Sequence, residues 1–216
     1  MDAAFGCSLG IPFGAFGTSG IPCRLAATGD YPPSLRSPWR AANDFVLVGP
    51  SDDPAGIGSA ATVDEAFRRL AKGEYLFISR GDDSGTHRKE RALWKSAGAE
   101  PDGSWYREAG QGMGKVLQMA GELAGYTLTD RGTWLAMKGR LPLDLLYQGD
   151  PLLFNPYGII AVNHERHPHV NHDGALALIR WLTGKEGQAR IAAFTIDGEQ
   201  LFKPDARAAE IALRKP

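Results

Sequence analysis

Arg80, Asp82, Asp83, Ser84, Gly85, Thr86 and His87 stand together in the segment FISRGDDSGTH, and their types and order suit the holding of an anion. A short apolar run, Phe77–Ser79, ends in an arginine. A Gly-rich turn follows, and then a helical pattern with Leu93, Trp94 and Ala97 on one side. The first turn of a helix has N–H groups without internal partners, at the partly positive end of its dipole. Ser84 and Thr86 can add hydroxyl donors, and Gly85 allows close backbone approach. Arg80 can add a fixed fork of charged donors suited to a tetrahedral oxyanion.

The same residues also suit a plain turn with a cap, in which Ser84 caps the helix and Arg80 pairs with Asp82 or Asp83. Spacing alone leaves both readings open. The segment is not a P-loop, because no Lys follows the glycine. One arrangement reconciles the two readings: Asp82 holds the Arg80 rotamer while amides and hydroxyls coordinate the ligand. Elsewhere, His164, His167, His169 and His172 suggest a metal site or a polar loop, and their spacing fits no standard zinc pattern, so no metal is expected. Asp130-Arg131 could orient a ligand or simply begin a helix. Ser84 and His87 invite a nucleophile–base pairing, but no third group accompanies them, so hydrolysis is not expected.

These groups need elements to position them. The 216 residues allow one large domain or two small lobes. A net charge of −1 argues against a basic nucleic-acid binder, and no apolar run approaches the roughly 20 residues that cross a bilayer. Met1–Arg40 is rich in Gly and Pro and shows no periodicity. It carries no recognisable signal peptide, and Cys7 and Cys23 alone do not establish a compartment. From Asn43 the pattern is orderly. Phe45–Val48, Tyr75–Ser79, Trp105–Glu108, Tyr126–Thr129, Leu143–Tyr147 and Gly158–Val162 read as strands. Thr62–Gly73 reads as a helix with a Thr62/Glu65 capping box, and further helices follow at Ser84–Ala97, after Gly110–Gly114, at Arg131–Lys138 and over Asp173–Phe194, the last interrupted near Thr183-Gly184. This alternation predicts an α/β fold with a largely parallel sheet, whose ligand sites lie beyond the carboxyl ends of strands.

Taken with NDFVLVGP, DDPAG, GQGMG, YTLTDRGT, GDPLLFNPYG, HPHVN and WLTGKEGQ, the segment FISRGDDSGTHRKE resembles the tungstate-binding substrate proteins of bacterial ABC importers, over roughly Asn43 to Ala206. The resemblance implies a periplasmic-binding-protein fold with two lobes of mostly parallel sheet and an oxyanion between them. It implies an inter-lobe strand at 43–50, a complete lobe at 51–155 and a return to the first lobe over 156–216. Carried onto matching positions, Arg80, Ser84, Gly85 and Thr86 would bind the ion, with Ser79, Asp82, Asp130 and Arg131 in support. No cofactor or catalysis is implied, only tungstate or molybdate, a permease partner, a monomer and a periplasmic or extracellular place. Phosphate capture and an intracellular oxyanion sensor are the alternatives. Residues 1–42 do not match the family, so the first lobe is expected to be incomplete, half of the donors missing and binding weak.

Overall fold

A computed structural model describes residues 41–159 and 161–204. Chain contacts divide it into two compact units. One holds Asn43–Asn155 with Ile196–Leu201, and the other, among the described residues, 41–42, Pro156–Thr195 and 202–204. Readings that concern 1–40, including Cys7, Cys23 and the completeness of the first lobe, lie outside the described residues.

The larger unit is built on β1 (Ala41–Gly49), whose Val46, Leu47 and Val48 are fully buried. Four more strands follow in it: β2 (Phe77–Ser79), β3 (Tyr106–Glu108), β4 (Thr127–Asp130) and β5 (Asp144–Tyr147). β2 and β3 pair in parallel, and a parallel bridge joins Phe77 to Tyr126, just before β4. β1 is antiparallel to both β4 and β5. Four strands therefore run one way and β1 runs against them. The expectation of a largely parallel sheet holds for those four directions. It fails for the β1 ladders, because β1 lies between β4 and β5 with reversed sense. A buried strand has the same composition in either direction, so its sequence carries no sign of this.

Four helices cover this sheet: α1 (Val63–Lys72), α2 (Gly85–Ser96), α3 (Met113–Glu122) and α4 (Arg131–Met137). Thr62 caps α1 by accepting from Glu65 N, while the Glu65 carboxylate accepts from Ala61 N at 2.9 Å. The box therefore closes one residue earlier than its standard form. Val63, Ala66, Phe67 and Leu70 form the buried face of α1. There Phe67 meets Trp94 of α2 edge-on at 4.4 Å, and Trp94 meets Phe77 of β2 at 5.2 Å. Such aromatic pairs add about 0.5–1.5 kcal/mol each beyond burial.

The expected strand at Gly158–Val162 does not form among the described residues. The strand is instead β6 (Phe154–Tyr157), which pairs with β1. It lies where Asn155 can donate from Nδ2 to Asn43 Oδ1 at 2.7 Å, both side chains being buried. That bond satisfies two amides which would otherwise be costly to bury.

The other unit contains α5 (His172–Thr183) and α6 (Lys185–Ala193), broken at Gly184 as the pattern indicated. A Cβ on Gly187 would come within 2.2 Å of Trp181 O, so glycine is what lets the two helices turn so sharply on each other. The short strands β7 (Thr195–Ile196), β8 (Glu199–Gln200) and β9 (Lys203–Pro204) end the described chain. β9 pairs with Ala41 and Ala42.

Candidate functional site

β2 delivers Arg80 at its carboxyl end, and α2 begins at Gly85. Gly81 and Asp83 both take the left-handed conformation, at φ 61° and 56°. At Gly81 that choice is forced, since a Cβ there would stand 2.6 Å from Glu108 Cβ. The loop is thus wedged against the end of β3.

Asp82 organises the loop. Its Oδ2 accepts from Arg80 Nε at 3.0 Å and from Nη2 at 2.5 Å, and its Oδ1 accepts from Ser84 N at 3.1 Å. Burial opposes ionisation of Asp82, but the Ser84 hydroxyl and backbone N–H and the Arg80 guanidinium outweigh it and hold the carboxyl below its ordinary value. The Arg80 side chain is only 13% exposed, so its rotamer is fixed by both packing and charge. Among the described residues its Nη1 makes no hydrogen bond.

Ser84 Oγ accepts from His87 N at 3.3 Å, so Ser84 is an N-cap. Thr86 is buried in the first turn. The His87 ring accepts from Asp83 N on Nδ1 at 3.0 Å, which places its proton on Nε2, 3.5 Å from Glu108 Oε1. It does not meet Ser84, so no nucleophile–base pair forms. Asp83 is engaged outward by Arg88 at 2.7 Å.

Ser79 closes the back of the site. Its hydroxyl donates to Glu90 Oε2 at 2.8 Å. Glu90 is 1% exposed and also accepts from Tyr106 OH at 2.8 Å and Trp94 Nε1 at 3.3 Å. Burial pushes its carboxyl up to about 7 against these hydrogen bonds. The sequence reading did not include Glu90 as a functional residue. The signal was there: an acid on the inner face of an amphipathic helix, three residues before Leu93 and four before Trp94.

Ser79, Arg80, Asp82, Ser84, Gly85 and Thr86 come together where β2 passes through the loop into α2. Asp130 ends β4, which follows directly from the Tyr126 that bridges to β2, and Arg131 begins α4, but both side chains are engaged outside the loop. Asp130 caps α4, accepting from Thr133 N at 2.9 Å and Thr133 Oγ1 at 2.6 Å. Arg131 donates to Asp44 at 2.5 and 2.6 Å and to Gln148 Oε1 at 2.7 Å, tying the start of α4 to β1 and to the residue after β5. His164 and His172 meet at a tilt with ring centroids 5.5 Å apart, His167 and His169 meet edge-on at 6.0 Å, and no group of side chains suited to a metal ion occurs among the described residues.

Residues 40–186 match the PBP superfamily domain. The tungstate-binding protein TupA of Peptoclostridium acidaminophilum is 44% identical over 168 residues, which is 76% of this chain and 59% of that protein. A crystal structure of the tungstate ABC transporter from Geobacter sulfurreducens superposes with a TM-score of 0.65 at 57% identity, covering 70% of this chain and 64% of that one. The tungstate-binding protein TupA from Desulfovibrio alaskensis G20 gives 0.69 at 40% identity, covering 79% and 70%. The chain spans 49% to 63% of the length of the curated relatives it matches.

Proposed function

The chain belongs to the PBP superfamily, and from that premise we propose that it is a substrate-binding component that captures tungstate for an ABC importer. The single observation behind this reading is the Arg80–Asp82–Ser84 arrangement, in which a charged fork is locked beside the open N-terminus of α2. A fully ionised oxyanion needs donors and no acceptor, and this loop offers backbone N–H groups, hydroxyls and Arg80 Nη1. Phosphate carries a proton that calls for a carboxylate acceptor. Here Asp82 is already taken by Arg80 and Ser84, and Asp83 by Arg88.

The role is capture without chemistry. Ser84 and His87 do not form a dyad, and Glu90 is buried behind the loop. The partner of the loaded protein would be an importer permease, and the periplasm or cell exterior would be its place. Molybdate, which shares charge and shape with tungstate, is the expected competitor.

The test is thermal unfolding of the purified chain with tungstate, molybdate, sulfate and phosphate in turn, followed by calorimetry. A ligand that binds only the native state raises the midpoint by mass action. A shift with tungstate supports the reading. A shift with phosphate alone, or none with any of the four, overturns it.

A further inference from the structure

Glu90 is an acid held inside the protein directly behind the anion loop, and the capture role above leaves it without a task. It projects from α2 onto Ser79, the residue before Arg80, and onto Tyr106 of β3. It thus clips the helix that offers its N-terminus to the strand that offers its arginine. We propose that Glu90 is the positioning residue of the Arg80 loop and that it takes up a proton when an oxyanion binds there.

The groups facing Glu90 are few. Ser79 comes from β2, Tyr106 and Glu108 from β3, and Trp94 from its own helix, with Phe67 of α1 packed on Trp94. His87, one turn earlier on α2, faces Glu108. Among the described residues no cation is hydrogen-bonded to Glu90. Its charge is stabilised only by neutral donors, so a second negative charge at the end of the same helix raises its proton affinity. Ser79 and Tyr106 carry hydroxyls that can donate to the carboxylate or accept from the acid, so the clip survives protonation. Burial has already brought the carboxyl to about 7, where a modest push changes its occupancy near neutral pH. Linkage then runs both ways: protonation of Glu90 must favour the anion as much as the anion favours the proton.

This inference rests on the oxyanion reading of the loop, and calorimetry separates the two. Tungstate is titrated into the full chain at one pH near neutrality, in two non-phosphate buffers of different ionisation enthalpy, and the titration is repeated with Glu90→Gln. The wild type is expected to show a buffer-dependent heat, equal to a fraction of a proton taken up, and an affinity that rises as pH falls from above to below neutrality by up to about tenfold per pH unit. Glu90→Gln is expected to bind tungstate with no proton uptake and a flat pH profile, which a purely structural role for Glu90 would not produce. Equal uptake in both proteins overturns the proposal and moves the proton to His87 or Glu108. No heat in either protein overturns the oxyanion reading itself, and this proposal with it. Should Glu90→Gln fail to fold, Tyr106→Phe keeps the carboxyl and removes one donor. The pH of greatest uptake must then move upward, and an unmoved profile refutes the proposal.

Discussion

Asp82 and Arg80 are joined twice through a single carboxylate oxygen, Oδ2 accepting from Nε at 3.0 Å and from Nη2 at 2.5 Å. The other oxygen accepts from Ser84 N at 3.1 Å. One aspartate therefore fixes both the arginine that ends β2 and the residue that caps α2. An acid beside an anion site would be a liability if its charge faced the ligand. Here the charge holds Arg80 and Ser84 in place, so the capture proposed above would lose less ordering entropy.

Arg80→Ala should remove the tungstate-induced rise in unfolding midpoint and weaken binding by at least tenfold in calorimetry. A charged hydrogen bond is worth about 1.5–3 kcal/mol. Asp82→Asn should retain folding but weaken binding by a smaller factor, because Arg80 loses its anchor. Unchanged affinity in Arg80→Ala would place the site elsewhere.

Gly81→Ala and Gly110→Ala separate strain from crowding. Both glycines have φ near +60°, at 61° and 62°, but a Cβ at Gly110 meets nothing within 4 Å whereas one at Gly81 meets Glu108 Cβ at 2.6 Å. Gly110→Ala should cost about 1–2 kcal/mol from backbone strain alone. Gly81→Ala should cost more than that and also weaken tungstate binding. Equal losses in urea unfolding would show that the wedge against β3 is unimportant.

Glu90 makes stability depend on pH in a direction opposite to an exposed salt-bridged acid. Its carboxyl rises from 4.5 in the unfolded chain to about 7 in the folded one. Between these values the folded state holds a proton that the unfolded state has lost, so stability falls as pH rises through the window and levels off above it. The slope is at most about 1.4 kcal/mol per pH unit. Glu90→Gln should flatten that segment of the profile. Parallel profiles of denaturant midpoint against pH would refute the assignment.

Tyr126 is 1% exposed, and its hydroxyl donates to Asp53 Oδ1 at 3.0 Å while accepting from Ala55 N at 2.9 Å. Asp53, at φ 40°, also accepts from Ile57 N and Gly58 N. Tyr126→Phe leaves the Ala55 N–H buried without its partner and should cost about 1–3 kcal/mol. The midpoint should then drop by several degrees, while tungstate still raises it.

Arg131 and Asp44 form a half-buried pair, their side chains 16% and 25% exposed. Removing one partner leaves the other charge uncompensated. Asp44→Ala and Arg131→Ala should each lower the unfolding midpoint, and the double variant should lose less than the sum. Additive losses would show that the pair carries no coupling energy.

The sequence by itself determined the features that depend on neighbours a few residues apart. The caps at Thr62, Ser84 and Asp130 bond three residues ahead, the break at Gly184 ends one helix and starts another, and the Arg80-to-Thr86 loop has its donors in one short stretch. Such interactions form within a turn or two, so residue type and spacing suffice to read them. Tertiary structure decided whatever links distant segments. β1 runs against its neighbours, Arg131 reaches Asp44 across 87 positions, and Asn155 finds Asn43 across 112, which draws the last strand of the crossing back to Phe154–Tyr157. In the chain Glu90 shows only as an acid on the inner side of a helical pattern, which does not say what it meets. Only the meeting of α2 with β2 and β3 buries it, surrounds it with neutral donors and makes its proton matter, because burial is a property of packing and not of sequence distance.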